Sequence, residues 1–163
     1  MTGENQMPEL YDRDFVLWSE DQAAALRRAK TAGANLPLDW DNLAEEIESL
    51  GKSDRRAVHS HIRRILRHLL KLTVSSAAGR RRGWQLTIRE ARNEIAIILR
   101  DSPSLRREIG GITAAEGSLA TELAAADPEE EHGELTSAVR EQLGRIGFTA
   151  DQVVGDWFPV AAP

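Results

Sequence analysis

Between Ser53 and Thr73 the apolar residues return every three or four positions. At about 100° per residue, Val58, Ile62, Ile65, Leu66, Leu69, Leu72 and Thr73 fall on one broad face, and Arg56, Arg63, Arg64, Arg67 and Lys71 fall opposite. A strand alternates with a period of two and cannot sort these side chains. The segment is therefore an amphipathic helix whose apolar face needs a partner. No other segment alternates like a half-buried strand, and helical signals fill the rest of the chain. The expected fold is all-α: a compact helical bundle of about four main helices with a helical C-terminal extension.

The other elements follow from periodicity and from start and stop signals. A first helix is expected over residues 12–30, with Phe15, Trp18, Leu26 and Ala29 inward; Gly33 and Asn35, Leu36, Pro37 break it. A second runs from Asp39 or Trp40 to Leu50, with Leu43, Ile47 and Leu50 as its apolar stripe. Asp39 or Asp41 caps it, and Gly51 ends it. The basic stretch GRRRG (residues 79–83) reads as a connector. It leads into a helix over 84–100 that buries Trp84, Ile88, Ala91, Ile95, Ile98 and Leu99. Leu86 and Ile97 lie on that helix's far side, so it is either sandwiched or half of a dimer contact. Ser102 and Pro103 start another helix, which Gly110 and Gly111 stop. Thr113 and Glu116 form a capping box for a helix to about Ala126. A further helix opens at the acidic stretch 127–130 and closes at Gly144 and Gly147. A second capping box, Thr149 with Gln152, precedes a short terminal helix, and Trp157, Phe158 and Pro159 are expected to dock on the bundle. Residues 1–10 read as a flexible N-terminus and residues 11–163 as a single all-α domain.

Charge is sorted into three blocks. Residues 1–51 carry a net −7, residues 52–107 a net +11 and residues 108–163 a net −9, hidden within an overall −5. The basic middle either answers the chain's own acidic ends or faces an external anion. There is no cysteine, which excludes disulfides and thiolate metal sites and fits a reducing cytoplasm. The polar, acidic N-terminus does not read as a signal peptide, and the longest aliphatic run, residues 95–99, is far short of a membrane span. A cytoplasmic protein is expected. The excess of arginine, 18 against 3 lysines, reads as the mark of a GC-rich genome rather than of anion binding.

Two constellations stand out. Arg56, Arg63, Arg64, Arg67 and Lys71, with Arg80, Arg81 and Arg82, form a basic face able to grip a phosphate backbone. It lacks aromatic residues for base stacking, and a pI near 5.4 is wrong for a dedicated nucleic-acid binder. Neutralisation from within is the favoured reading. The second constellation sets Glu45 and Glu48 against Arg89 and Arg92. Arg92 sits at the edge of an apolar stripe, where an unpaired guanidinium is costly, so Glu45 or Glu48 is its expected partner in an interhelical clamp. His61 and His68 lie two turns apart, too far for one zinc ion, and the lone Glu-x-x-His at Glu129 to His132 falls short of a di-iron set. No metal or cofactor is expected. Nucleophile-elbow, phosphate-loop and dinucleotide fingerprints do not occur, so no catalytic residue is assigned.

Several segments together resemble one bacterial family, domain of unknown function 29. They are YDRDFVLW (11–18), LDWDNLAEEIESLG (38–51), HLLKL (68–72), WQLTIREAR (84–92), DSPSL (101–105) and TADQVVGDWFP (149–159). Residues 110–147 depart from the family's pattern. The resemblance implies a compact bacterial all-helical domain and implies no reaction, cofactor or partner. The functional expectation is a non-enzymatic protein-interaction module that self-associates, as a dimer in the simplest case. Nucleic-acid binding through residues 56–82 is the alternative, and an enzyme or metal-binding bundle stands behind both.

Overall fold

The computed structural model describes residues 7–75, 78–126 and 137–160. They form helices α1 (Met7–Arg13), α2 (Phe15–Thr31), α3 (Trp40–Val74), α4 (Ala78–Asp101), α5 (Ile109–Ala125), α6 (Ser137–Arg145) and α7 (Ala150–Val154), with a 3₁₀ turn at Pro103–Arg107. No strand occurs among the described residues, and four helices are long, at 17, 35, 24 and 17 residues for α2 to α5. The all-α class is as the periodicity predicts. None of the described helices is long and apolar enough to cross a membrane. The chain divides into two compact units: one holds the residues up to Val58 with Ile97–Arg107, the other His59–Ala96 with Glu108 onward.

In the first unit α2 lies antiparallel to the start of α3. Their ion pairs give the register: Glu20 with Arg55 at 3.2 Å, Arg27 with Glu48 at 2.7 Å, and Lys30 with Asp41. The buried contact is made of small side chains, Val16, Ser19 and Ala23 on α2 and Ala44 and Gly51 on α3. Here the sequence reading needs correction. Gly51 does not end a helix: α3 runs unbroken from Trp40 to Val74. A Cβ on Gly51 would collide with the Ser19 hydroxyl and touch Val16 Cα at 3.5 Å, so the glycine serves close approach of two helices, not a left-handed cap. The inner face of α2 is correspondingly offset. Phe15, Trp18, Leu26 and Ala29 are half-buried, while Leu43 and Leu50, expected to point inward, remain exposed.

The same unit is tied by a polar junction. Asp14 caps α2 by accepting from Leu17 N at 3.0 Å, and its carboxylate also accepts from Ser104 N at 2.6 Å and Ser104 Oγ at 2.9 Å. Val16 N, another of the free donors of the helix start, donates to the buried Ser102 Oγ at 3.3 Å. Helix α1 begins at Met7, inside the segment expected to be loose.

The second unit is built from large aliphatic side chains. Ile62, Ile65, Leu66, Leu69, Leu70 and Leu72 of α3 are buried, as are Trp84, Ile88, Ala91 and Ile95 of α4. Ile109, Ile112, Ala120 and Ala124 of α5, Leu143 of α6 and Val153 of α7 complete this core. Residues 79–83, expected as a connector, are the opening of α4. Gly110 and Gly111 do not stop a helix either. Only a 3₁₀ turn follows Ser102, and the glycines lie in the first turn of α5, where backbone N–H groups have no intrahelical partner to lose. Thr113 and Glu116 therefore fall inside α5 and cap nothing. The acidic stretch 127–130 lies outside the described residues; the following helix closes at Arg145, just after Gly144. The capping box of Thr149 and Gln152 forms as expected.

Candidate functional site

Glu116 is a nearly buried carboxylate that meets one member of the basic face, Arg63. It projects from the middle of α5, is 8% exposed, and its two oxygens meet Arg63 Nε at 2.6 Å and His59 Nδ1 at 2.7 Å. A carboxylate only accepts, so His59 carries its proton on Nδ1. The Arg63 hydrogen bond holds the Glu116 carboxyl below its ordinary pKa; burial opposes this and His59 adds to it. Sequence reading missed Glu116 because Thr-x-x-Glu ahead of an apolar run is also the signature of a helix start.

The other members of the predicted basic face divide in two. Lys71 is buried, 2% exposed, with its ammonium 5.4 Å from the centre of the Trp84 ring. Arg81 is half-buried and donates to the carbonyls of Leu72 at 2.7 Å and Pro159 at 3.4 Å. Arg67 and Arg80 are half-buried. Arg56, Arg64 and Arg82 are exposed.

Arg92 and Glu48 each have partners other than those the clamp supposed. Glu48 bonds Arg27 at 2.7 Å and Lys52 at 3.3 Å, and Glu45 is exposed. Arg92 is 8% exposed and donates to three main-chain carbonyls: Nε to Val153 at 2.9 Å, Nη2 to Gln152 and to Trp157 at 2.7 Å each. These carbonyls belong to the C-terminal end of α7 and the strand-free segment after it. Helix ends leave such oxygens unpaired and partly negative, so they suit a guanidinium as a carboxylate would. The Phe158 ring lies 4.8 Å from the Arg92 guanidinium and 5.6 Å from that of Arg89. Burial draws the Arg92 pKa down, with the Asp156 charge working against it. The tail docks as expected, but through an anchor that side-chain patterns cannot reveal, because every residue carries a carbonyl.

In the first unit, Tyr11, Asp12, Phe15, Asp54 and Asp101 line an open hollow of about 350 Å³ beside the Asp14 junction. Tyr11 meets Trp18 edge-on at 4.8 Å, and Phe15 stacks on Trp18 at 5.6 Å. Burial raises the Asp54 carboxyl above its ordinary value, the Asp101 charge adding to this and the Ser102 hydroxyl opposing it. Among the described residues no three His, Cys, Asp or Glu are placed to hold a metal ion. Burial, then the Arg64 charge, lowers the pKa of His61, against Glu94. His132 lies outside the described residues.

The family model described as domain of unknown function DUF29 matches residues 10–146. No curated protein matches the chain. An α-helical protein of unknown function from Rhodospirillum rubrum, known from a crystal structure, is 26% identical, with a TM-score of 0.56 over 91% of this chain and 98% of that one. Within the first unit, the segments 11–18 and 101–105 that carry the resemblance meet through Asp14, Ser102 and Ser104. Matched by the family's model from the first of these segments to the end of α6, and with helices as the regular elements of its described residues, the chain belongs to the DUF29 family.

Proposed function

We propose that this protein is a cytoplasmic, non-enzymatic interaction module that self-associates through the outward stripe of α3. The observation that carries the reading is a line of apolar side chains left in water. Leu43 and Leu50 are 39% and 49% exposed, with half-buried Ile47 between them at helical spacing, and Leu36 and Leu38 just before α3 are 60% and 46% exposed. A stripe of this kind on a helix is self-complementary about a two-fold axis.

The nucleic-acid alternative has less support. Arg63 already faces Glu116, Lys71 is buried, and Arg81 serves two carbonyls, which leaves Arg56, Arg64 and Arg82 as the exposed cations of that face. Binding to random-sequence DNA near physiological salt should be no tighter than about 10⁻⁴ M. Sedimentation equilibrium is the direct test of self-association. The wild type should dimerise at micromolar concentration, and L43E/L50E should be monomeric and still folded with the same helix content, since both positions are exposed. A wild type that stays monomeric at about 100 μM, a concentration at which specific interfaces are normally saturated, would overturn the reading.

A further inference from the structure

We infer that His59 is a phosphoryl-acceptor site: its Nε2 takes a phosphoryl group from an N-phosphoryl donor, Glu116 orients the ring, and Arg63 receives the phosphoryl oxygens. Three observations give the imidazole this chemistry.

The first is a fixed tautomer. The ring is held through Nδ1, 2.7 Å from Glu116 Oε1. Because Arg63 keeps that carboxyl ionised at neutral pH, it can only accept, and the proton of neutral His59 stays on Nδ1. Nε2 is left with its lone pair. A carboxylate behind Nδ1–H makes the opposite nitrogen more basic. A base or nucleophile oriented by a third group in this way is the usual pattern of an activated side chain.

The second observation is access. Unlike the buried His61 Nδ1, His59 Nε2 makes no hydrogen bond among the described residues and yet is not cut off from water. The His59 side chain is 34% exposed, so a donor can reach the lone pair from solution. No group of three metal-ligating side chains forms there among the described residues, and a lone imidazole is a poor metal site.

The third is Arg63, one turn after His59 on the same face of α3. It spends only Nε on Glu116, at 2.6 Å, and its two Nη groups have no partner among the described residues and reach solvent. A guanidinium with both Nη groups open matches the oxygens of a phosphoryl group. The net +11 of residues 52–107 draws such a dianion in.

In the step itself the Nε2 lone pair forms a P–N bond while the P–N bond of the donor breaks. The donor nitrogen leaves with the electron pair of the broken bond, as ammonia when the donor is phosphoramidate. Nothing is oxidised or reduced. Nδ1 keeps its proton, and the imidazolium so formed faces the Glu116 carboxylate. One P–N bond replaces another, so the chain needs no catalytic activity of its own to be modified.

The test is incubation of the full chain with phosphoramidate beside N-acetylhistidine in the same tube, followed by phosphorus NMR and peptide mass mapping. His59 should be labelled at Nε2, at least about tenfold faster than N-acetylhistidine, the low end of what an orienting partner is worth to a histidine. H59Q, whose amide can still donate to Glu116, should lose that label. E116Q and R63Q should each slow labelling about tenfold, the worth of one charge-assisted hydrogen bond. Imidazole nitrogen NMR separates orientation from mere folding. The proton of neutral His59 should sit on Nδ1 in the wild type and be shared between both nitrogens in E116A. The inference is overturned if His59 reacts no faster than N-acetylhistidine, if the label falls on another histidine, or if E116Q and R63Q react as the wild type does.

Discussion

One helix, α3, serves two kinds of packing. Where it faces α2 it offers Ala44 and Gly51, and the partner offers Val16, Ser19 and Ala23. Further along it offers Ile62, Ile65, Leu69 and Leu72, all fully buried. The first contact buries little apolar area per residue and depends on backbones lying close, with ion pairs fixing the register. The second buries whole aliphatic side chains, each worth about 1.5–3 kcal/mol, and needs no such register marks. Stability can thus rest on volume or on proximity, and the two fail in opposite ways: one when atoms are removed, the other when they are added.

The largest effect should come from removing atoms in the second unit. I95A should cost about 2–5 kcal/mol in denaturant melts, as large-to-small core changes do. A variant as stable as wild type would mean that α4 contributes no core there. Adding atoms in the first unit should cost less. G51V is expected to lose about 1–3 kcal/mol through overpacking. A double-mutant cycle makes this sharper: G51A should be tolerated better in an S19A background, where the hydroxyl it strikes is gone. Simple additivity of G51A and S19A would break the close-approach argument.

Acid should produce the smallest effect, with opposite signs in the two units. Glu116 has a folded pKa below its ordinary 4.5, so it contributes stability above that value and loses it as pH falls through the folded pKa. Asp54 has a folded pKa above its ordinary 3.8, so its favourable contribution is present below that value and is lost as pH rises through the folded pKa. Hydrogen exchange compared between neutral pH and a pH of about 3, below both ordinary values, reads the two separately. Protection should fall along α5 in the wild type and change less in E116Q. D54N should raise protection at the start of α2 at neutral pH. The same direction of change in both places would sink this contrast.

How far the sequence was legible follows the same division. The aliphatic face of residues 58–72 could be read directly, because burial of large side chains imposes its period on the residue types. The capping box at Thr149 was equally plain, since its two side chains act on their own neighbours. Gly51 was misread because a glycine that ends a helix and one that lets a second helix approach are the same letter. Glu116 was hidden behind the local pattern of a helix start, and its partners Arg63 and His59 lie more than fifty positions away. Arg92 was recognised as a buried cation in need of a partner, yet carboxylates were the only acceptors that a side-chain pattern displays.

That last contact sets what can vary in the C-terminal segment. The oxygens that Arg92 holds are main-chain groups at positions 152, 153 and 157. Substitution leaves such oxygens in place, whereas a deletion or insertion of one residue between 153 and 157 moves one of them out of reach. In a set of related chains the spacing of this segment should be kept even at positions, such as the exposed Asp156, where the residue type changes.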